Sequence, residues 1–501
     1  MFLHIILCFI LYVLANHFLS KIQNLPPSPF PMLPIIGHLH LLKQPLHRSL
    51  AAISNRHGPV LLLWFGNRRV LVVSSPSAAE ECFTKNDVVF ANRPRLLVGK
   101  HLAYNFTSLV WAPYGDLWRN LRKISSLELL STHRLHLLSN IRTNEVRLLI
   151  RRLFKRDGDH MVDMNSALFE LMLNVMMRMI AGKRYYGGKV EEVEEARRFG
   201  EIVAETFLLA GASTKEDFLP MLSAVSGAEK RFKELHEKRD RFIQELIEEH
   251  RKRKESTQSG VESEERNKTL IEVLLSLQES EPEYYRDEVI RSLMLALLAA
   301  GTDTSAGTME WALSLLLNNP AKLKKAQSEV DTIIGHDRLI TESDIATLPY
   351  LNCVVTEAMR MCPLGPLLVP HESSEECMVG GYRVPRGTML MVNMWAIQND
   401  PKIWEDATKF KPERFEGFEG VRDGFRLMPF GSGRRGCPGE GLAMRMVGLG
   451  LGTLLQCFDW ERPTKEMVDM TEWNGLTLRK SKPLLAKCSP RSSMLNLLSQ
   501  L

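Results

Sequence analysis

Residues 430–439, with the sequence FGSGRRGCPG, carry the residue types with the clearest chemical potential in the chain. Cys437 lies among three glycines, follows Arg434 and Arg435, and precedes the helix-like run EGLAMRMVGLGLGTLLQCF. Neighbouring guanidinium groups and a helix N-terminus both favour a thiolate over a thiol. A thiolate held by a glycine-lined loop is a candidate axial ligand for haem iron. The alternative is a buried structural cysteine beside a basic turn.

A second candidate for chemistry lies within a long apolar segment that begins at Asp287 and extends to about Leu317. Asp287 can cap this helix, and an Asn-Asn-Pro sequence would end it. About 30 residues at 1.5 Å each span roughly 45 Å, which is enough to cross a domain. In its middle, the sequence AAGTDTSAG places Asp303 between Thr302 and Thr304. The threonines could simply bond to their own helix, but an acid in apolar surroundings is costly without a partner.

Two further sets of side chains have the spacing of helix neighbours. Trp118 and Arg122 are four residues apart in GDLWRNLRK and would share one helix face. Glu357 and Arg360 are three residues apart in another predicted helix, and Arg414 in FKPERF could join that pair. Taken alone, such pairs are more often solvated helix faces or chance ion pairs.

The composition describes a globular protein with an ample core, since 45% of the 501 residues are hydrophobic and 25% are charged. Length alone would predict about three domains, although large single enzyme domains also occur. The net charge of +5 is mild, and no basic stripe is interleaved with aromatic residues, so nucleic acid is not an expected partner. The eight cysteines are scattered without a CxxC pair. This pattern argues against a disulfide framework or a zinc site and predicts a reducing environment.

Residues 1–20 are predicted to form a single membrane anchor. Residues 2–19, FLHIILCFILYVLANHFL, are almost wholly apolar, and about 20 such residues span a bilayer. A cleaved signal peptide is the alternative, but a basic start and a clear small-residue cleavage site are both missing. The prolines of LPPSPFPMLPIIGH predict an extended hinge over residues 21–37. Residues 38–501 would then form one globular catalytic domain on the cytoplasmic side.

The remaining patterns predict a mainly α fold with a small β-rich lobe near the N-terminus. Residues 60–73, VLLLWFGNRRVLVV, predict two strands around a Gly66-Asn67 turn. Beyond them the periodicity is mostly helical, with an exposed amphipathic helix over residues 229–253 and a further helix over residues 346–361. Short strand-like pieces follow in GGYRVPRGTMLMVNMWAIQ.

Four stretches, in this order, resemble the motifs of the cytochrome P450 superfamily of haem-thiolate monooxygenases. They are AGTDT, the E-x-x-R of Glu357 and Arg360, FKPERF, and the F-x-x-G-x-R-x-C-x-G of residues 430–439. The sequences PPSPFPMLPIIGH and APYGDLWRNLRK resemble those of the plant microsomal group. LLSLQESEPEYYRDEVI and CFDWER are similar to the isoflavone hydroxylase and sesamin synthase family within it. The resemblance implies the mainly α haem-thiolate fold and haem b as the cofactor.

The resemblance also implies roles for individual residues. Cys437 would be the axial thiolate ligand of the iron. Asp303 and Thr304 would relay protons beside a gap opened by Gly301. Glu357, Arg360 and Arg414 would form a buried structural ion-pair triad. The remaining haem-binding positions, several of them at the propionates, would be Trp118, Arg122, Ala300, Gly301, His371, Phe430 and Arg435.

Two positions depart from the pattern of close relatives. Gln398 stands where they often carry histidine, beyond the expected haem contacts. Trp473 stands where they usually carry a small residue, in a segment that would reach the substrate pocket. The candidate pocket residues form an apolar set that would fit a flat aromatic or fused-ring molecule: Phe106, Leu109, Ala296, Leu367, Leu368 and Trp473.

The implied reaction inserts one oxygen atom from O2 into an apolar C–H bond, or closes a methylenedioxy bridge on an aromatic methoxyphenol. Electrons would come from NADPH through NADPH-cytochrome P450 reductase at the endoplasmic reticulum membrane. Its acidic face would meet a basic surface that includes Arg119, Lys123, Arg434 and Arg445. A haem-thiolate isomerase or dehydratase and a non-catalytic haem protein are the alternatives, and neither needs the relay pair Asp303 and Thr304.

Overall fold

A computed structural model describes most of the globular chain. The described residues are His4, Phe18, 21–156, 161–187, 190–211, 215–222, 226–256, 268–418, 420 and 422–501. The predicted anchor of residues 1–20 therefore lies outside the described residues, apart from His4 and Phe18, and it stays a prediction.

Helices dominate the described part of the chain. In order, the α-helices are α1 Leu46–His57, α2 Pro76–Phe83, α3 Leu97–His101, α4 Asp116–Ile124, α5 Thr132–Leu137, α6 Ser139–Phe154, α7 Met164–Ala181, α8 Val190–Gly211, α9 Lys215–Phe218, α10 Ala228–Ser256, α11 Leu270–Ser280, α12 Asp287–Leu317, α13 Pro320–Ile333, α14 Pro349–Met361, α15 Met394–Asn399, α16 Glu440–Cys457 and α17 Leu495–Ser499. Short 3-10 turns occur at Leu39–Leu41, Val89–Ala91, Pro220–Leu222, Glu342–Thr347, Pro412–Phe415 and Ser492–Met494, and a π-helical turn at Ser125–Leu130.

The strands are few and short. They are β1 Val60–Phe65, β2 Arg68–Val73, β3 Met161–Asp163, β4 His371–Glu372, β5 Cys377–Val379, β6 Tyr382–Val384, β7 Met389–Val392, β8 Phe458–Glu461 and β9 Leu485–Pro490. They form a four-stranded sheet β1-β2-β7-β4, a three-stranded sheet β3-β9-β8 and the pair β5-β6. The mainly α fold with a small β-rich lobe agrees with the prediction.

The hairpin predicted over residues 60–73 is present, with β1 and β2 antiparallel and Val60 opposite Val73. Gly66 in its turn has φ +58°, and a Cβ there would collide with the backbone carbonyl of Phe218. The sheet is completed by strands from the last third of the chain. β7 pairs with β2 in parallel and places Val70 opposite Met389, while β4 joins the far side of β7.

Helix α12 is the core of the molecule, and its bounds are those predicted from the sequence. It packs against α7, α14 and α16, and most of its residues are buried. Among the described residues, α12 alone is long and apolar enough to cross a membrane, but it lies mostly inside the protein. Burial of each large aliphatic side chain contributes about 1.5–3 kcal/mol, so this helix stabilises the whole domain.

Helix α14 carries the predicted ion-pair triad. Arg360 donates to Glu357 through Nε at 2.7 Å and through Nη2 at 2.9 Å, and both side chains are fully buried. Arg414 Nε donates to Glu357 Oε1 at 3.0 Å, so the triad is complete. Gln398 holds the same region, because its Nε2 donates to the carbonyls of Met359 and Arg360. The glutamine that departs from the pattern of close relatives therefore bonds to the backbone at the end of α14.

We expect Arg360→Met to lower the free energy of unfolding by about 3–5 kcal/mol, because it leaves the Glu357 carboxylate buried without its main partner. The matched control is Arg338→Met, which removes an arginine 51% exposed in its pair with Asp344. That exposed pair contributes at most about 1 kcal/mol. Denaturant unfolding of both variants is the measurement, and equal losses would contradict a structural role for the triad.

Candidate functional site

The loop around Cys437 is a tightly turned segment that leads into α16. The Cys437 amide donates to the Phe430 carbonyl at 2.8 Å and closes the loop on itself. Gly433 has φ +68°, and a Cβ there would collide with the Asp87 carboxylate. The Gly439 amide points at the Cys437 sulfur at 3.3 Å. The glycines are needed because the backbone passes close to itself and to Asp87.

The sulfur of Cys437 lies in mixed electrostatic surroundings. Burial raises the pKa of its thiol, whereas the Gly439 amide, Arg122 and Arg422 act in the opposite direction. The side chain is nonetheless accessible from outside. The Cys437 side chain is thus accessible although protein atoms surround it densely. We call the depression in which it lies the Cys437 recess.

The cations near Cys437 are not those that the sequence indicates. Arg434 turns outward, donates to the Tyr114 hydroxyl at 3.0 Å and pairs with Asp87. Arg122 from α4 and Arg422 act on the sulfur instead. Arg122 reaches the loop directly, because its Nη1 donates to the Gly436 carbonyl at 2.7 Å. The expectation that Arg434 and Arg435 favour the thiolate is therefore wrong, and Arg122 takes that place.

Arg435 is held as a half-buried cation by backbone carbonyls. Its Nε donates to Ala91 at 2.7 Å and its Nη2 to Ala112 at 2.6 Å. Its Nη1 is buried and has no hydrogen-bond partner among the described residues. The guanidinium lies over the ring of Trp118, 4.4 Å from the ring centroid. Burial and Arg122 lower the pKa of Arg435 to about 10.

Trp118 and His371 complete the predicted set on this side. Trp118 is buried on α4, and its Nε1 donates to the Leu109 carbonyl at 3.1 Å. His371 on β4 shares a 2.7 Å hydrogen bond between Nδ1 and the Phe90 carbonyl. Burial, with Arg93 and Arg435 nearby, holds the pKa of His371 well below its usual range. The imidazole is therefore neutral at physiological pH.

Arg93 is a member of this cluster that the sequence analysis missed. It is buried, and its guanidinium donates to the carbonyls of Val110, Val369 and Pro370 at 3.1, 2.7 and 2.9 Å. Burial and the nearby Arg435 hold its pKa well below the usual range. No local pattern in the sequence links Arg93 to Arg435, which lies 342 residues further along the chain.

Three guanidinium groups thus lie together without a compensating acid. None of Arg93, Arg122 and Arg435 pairs with a carboxylate among the described residues. A buried cation without a counter-ion is costly, and guanidinium groups bind carboxylates strongly. A haem carries two propionate carboxylates. The free Nη1 of Arg435 and this excess of positive charge beside Cys437 fit such a dianionic group.

The middle of α12 presents accessible backbone inside an otherwise buried helix. Ala300 is exposed, while Gly301 and Thr304 are partly buried. Thr304 Oγ1 donates to the Ala300 carbonyl at 2.7 Å, the helix bond considered as its alternative role. A Cβ at Gly301 would collide with the Met176 side chain, so this glycine allows α7 to pack closely. Ala300 is thus an accessible point in a helix whose neighbouring turns are mostly buried.

Asp303 does not stand alone in its apolar surroundings. It is buried, it pairs with Arg479, and it accepts a 3.0 Å hydrogen bond from Thr477 Oγ1. Burial raises the pKa of its carboxyl, and Arg479 and Thr477 oppose that shift. The sequence offered no sign of Arg479, which lies 176 residues along the chain in a segment without clear periodicity.

The candidate pocket residues do not all face inward. Phe106 and Leu109 are buried, whereas Ala296, Leu367 and Leu368 are partly buried. Trp473 is 50% exposed, and its amide donates to the Arg479 carbonyl at 2.8 Å. The tryptophan that departs from the relatives thus has half of its side chain at the surface, beside the segment that holds Asp303.

Comparison with known proteins identifies the family. The family model described as Cytochrome P450 matches residues 26–487 of the chain. The chain is 50% identical to Cytochrome P450 81Q32 of Catharanthus roseus, in an alignment covering 95% of this chain and 94% of the relative. It is 49% identical to an isoflavone 3'-hydroxylase of Medicago truncatula, over 93% of both chains. It is 48% identical to a (+)-piperitol/(+)-sesamin synthase of Sesamum radiatum, over 96% of this chain and 94% of the relative.

The family and the fold class inferred from the motifs are confirmed by these matches. Members of the family carry haem with a cysteine thiolate as the axial ligand of the iron. With relatives of about 50% identity over nearly its whole length, the chain belongs to the cytochrome P450 family and is a plant-type haem-thiolate monooxygenase.

Proposed function

We propose that this monooxygenase uses NADPH and O2 to hydroxylate a small apolar aromatic or fused-ring plant metabolite, or to close a methylenedioxy bridge on it. The relatives carry this proposal, since an isoflavone 3'-hydroxylase and a (+)-piperitol/(+)-sesamin synthase are 49% and 48% identical to the chain. The first name denotes hydroxylation of an isoflavone, and the second denotes synthesis of (+)-piperitol and (+)-sesamin.

The proposed haem site lies between the Cys437 loop and the middle of α12. Cys437 would supply the thiolate, and Arg122 and Arg435 would hold the propionates. The free Nη1 of Arg435 supports this assignment because it has no other acceptor among the described residues. Trp118 donates its only N–H to the Leu109 carbonyl, so it would act by holding the Arg435 guanidinium over its ring. His371, held neutral by burial and the neighbouring cations, would present the lone pair of its Nε2, because its Nδ1–H donates to the Phe90 carbonyl. When bound, the haem supplies the activation of O2 and the insertion of one oxygen atom.

The protons for that reaction would pass along Asp303 and Thr304. The Thr304 hydroxyl donates to the Ala300 carbonyl, which leaves its oxygen lone pairs able to accept a hydrogen bond. Rotation of the hydroxyl would turn the same O–H toward the accessible surface at Ala300. Asp303 would reload the hydroxyl from its buried carboxyl. Such positioned groups contribute about 10²–10⁴-fold to a rate.

The substrate class follows from the apolar side chains around the recess. Phe106 and Leu109 are buried, and the Leu109 carbonyl accepts from Trp118 Nε1. Leu367 and Leu368 precede His371 on the same stretch of chain. Apolar walls with few polar groups favour a flat, largely hydrophobic ligand. An isoflavone or a lignan with methoxyphenol rings meets that requirement.

The redox partner would be NADPH-cytochrome P450 reductase at the endoplasmic reticulum membrane. Among the four basic residues predicted to face it, Arg119 pairs with Asp116 and Arg434 pairs with Asp87. Arg445 is partly buried, with its Nη1 on the Gly441 carbonyl. Lys123 is exposed on α4, the helix that also carries Arg122. We propose Lys123 as the main contact of this face with an acidic reductase.

Feeding experiments test the substrate class. Microsomes containing the enzyme and a plant reductase receive NADPH and a panel comprising an isoflavone, a methoxyphenol lignan, an indole derivative and a fused-ring terpenoid. We expect oxygenated or bridge-closed products from the isoflavone or the lignan, identified by mass. Turnover of the indole derivative or the terpenoid alone would contradict the proposed class.

We expect Cys437→Ser to abolish the thiolate-type absorption of the reduced carbon monoxide complex, because a serine oxygen is a poor, hard ligand for this iron. The matched control is Cys377→Ser, at a partly buried cysteine on β5. Optical spectra of both reduced variants under carbon monoxide are the measurement. A normal thiolate spectrum in Cys437→Ser would assign the ligand elsewhere.

We expect Thr304→Ala to lower product formed per NADPH, with hydrogen peroxide taking up the difference, because the hydroxyl that hands on the proton is gone. The control is Thr308→Ala, which removes the same kind of helix bond, from Thr308 Oγ1 to the Thr304 carbonyl at 2.9 Å. Product, peroxide and NADPH are measured together with the accepted panel compound. Equal product per NADPH in the parent and in Thr304→Ala would end the relay assignment.

We expect deletion of residues 1–20 to release much of the protein from membranes while its haem spectrum stays intact. The apolar run and the prolines behind it predict a separate anchor. The measurement compares the fraction in the high-speed supernatant for the full chain and the shortened chain. Loss of haem from a shortened chain that remains folded would place the segment in the core instead.

A further inference from the structure

The partner of Asp303 is a feature that the family motifs do not contain. Asp303 lies in the middle of α12, whereas Arg479 and Thr477 belong to the irregular segment 471–481, which we call the terminal segment. Arg479 pairs with one carboxylate oxygen, and Thr477 Oγ1 donates to the other at 3.0 Å. Both oxygens of the relay acid are therefore held by the terminal segment.

The terminal segment is itself held at two further points. Before the contact with Asp303, Glu472 pairs with Arg48 through two hydrogen bonds of 2.9 and 2.7 Å. Within it, between Thr477 and Arg479, the Leu478 carbonyl accepts from Trp311 Nε1 of α12 at 2.7 Å. These contacts fix the position from which the segment reaches Asp303.

Arg479 also contacts a third element of the fold. Its guanidinium lies over the ring of Phe207 in α8, 5.3 Å from the ring centroid. Its Nε is buried and has no hydrogen-bond partner among the described residues. The side chain therefore joins three elements: α8, α12 and the terminal segment that carries the half-exposed Trp473.

We propose that Arg479 is a positioning residue that orients the Asp303 carboxylate for proton transfer and couples it to the terminal segment and to Phe207. The inference rests on the proposed relay role of Asp303. A substrate that contacts Phe207 or the terminal segment then changes how firmly Arg479 holds the acid. The delivery of protons is in this way linked to occupation of the pocket.

The charge of Arg479 has a further consequence for the acid. Burial raises the pKa of Asp303, and Arg479 is the largest opposing influence. Without the guanidinium, the carboxyl would hold its proton more tightly and pass it on less readily. Wherever the carboxyl is ionised, removal of its partner leaves an uncompensated buried charge, which is destabilising.

Three variants test the inference during turnover: Arg479→Gln, Arg479→Lys and Asp303→Asn. We expect Arg479→Gln to lower product per NADPH by about tenfold or more. This loss is smaller than the roughly 10²–10⁴-fold contribution of a general acid–base group, because Asp303 itself remains. Arg479→Lys keeps the charge and should recover most of that loss. Because Arg479 acts through Asp303, Arg479→Gln should add no further loss in the Asp303→Asn background. The matched control is Lys482→Gln, at a lysine 76% exposed on the same stretch of chain.

A second readout needs no turnover and no substrate. Thermal unfolding of the haem-loaded enzyme is recorded at one scan rate for Arg479→Gln, Asp303→Asn and the double variant. We expect the double variant to unfold at a higher temperature than Arg479→Gln alone, because it no longer buries an acid that has lost its cationic partner. If the double variant loses as much midpoint temperature as the two single variants together, the pairing of Arg479 with Asp303 is overturned.

The outcomes separate this inference from the proposed relay. Unchanged product per NADPH in Asp303→Asn would overturn the relay, and the positioning role with it. A loss in Asp303→Asn that Arg479→Gln does not share would overturn the positioning role alone. An Arg479→Lys variant as poor as Arg479→Gln would also overturn it, because a conserved charge should restore the contact.

Discussion

Uncompensated positive charge beside the Cys437 loop is the constraint on which the rest of the site depends. Arg93, Arg122 and Arg435 come from three different parts of the chain and meet with carbonyls around them, and none of them pairs with a carboxylate among the described residues. Burying such charges costs several kcal/mol per ion unless an anion joins them. The cluster therefore favours an anion, and the two propionates of a haem meet that requirement in the proposed site.

The packing of α12 decides which of its residues are accessible. This helix is mostly buried but leaves Ala300 accessible, while the missing side chain of Gly301 lets Met176 approach from α7. The acid at Asp303 can exist in this core only because Arg479 compensates its charge. The packing glycine Gly301 and the polar residues Asp303 and Thr304 are thus close neighbours on α12.

The local sequence pattern was sufficient to predict elements whose contacts lie between residues close together in the chain. The hairpin over residues 60–73, the bounds of α12 and the helix behind Cys437 follow from hydrophobic period, turn glycines and stop signals. The triad of Glu357, Arg360 and Arg414 was also anticipated, and the structure confirms its contacts. Helix α14 begins at Pro349, three residues after the predicted start, because the preceding residues form a 3-10 turn.

The sequence by itself determined the family, the cysteine-bearing loop and the residue types that a haem-thiolate monooxygenase requires. Only the tertiary structure decided which charges meet. It brought Arg93 to Arg435, turned Arg434 outward to Asp87, and joined Asp303 to Arg479. Spacing along a helix or strand fixes neighbours within a few residues, as at i and i+4. Pairs that are 176 or 342 residues apart depend on how whole elements pack, and no local period encodes that.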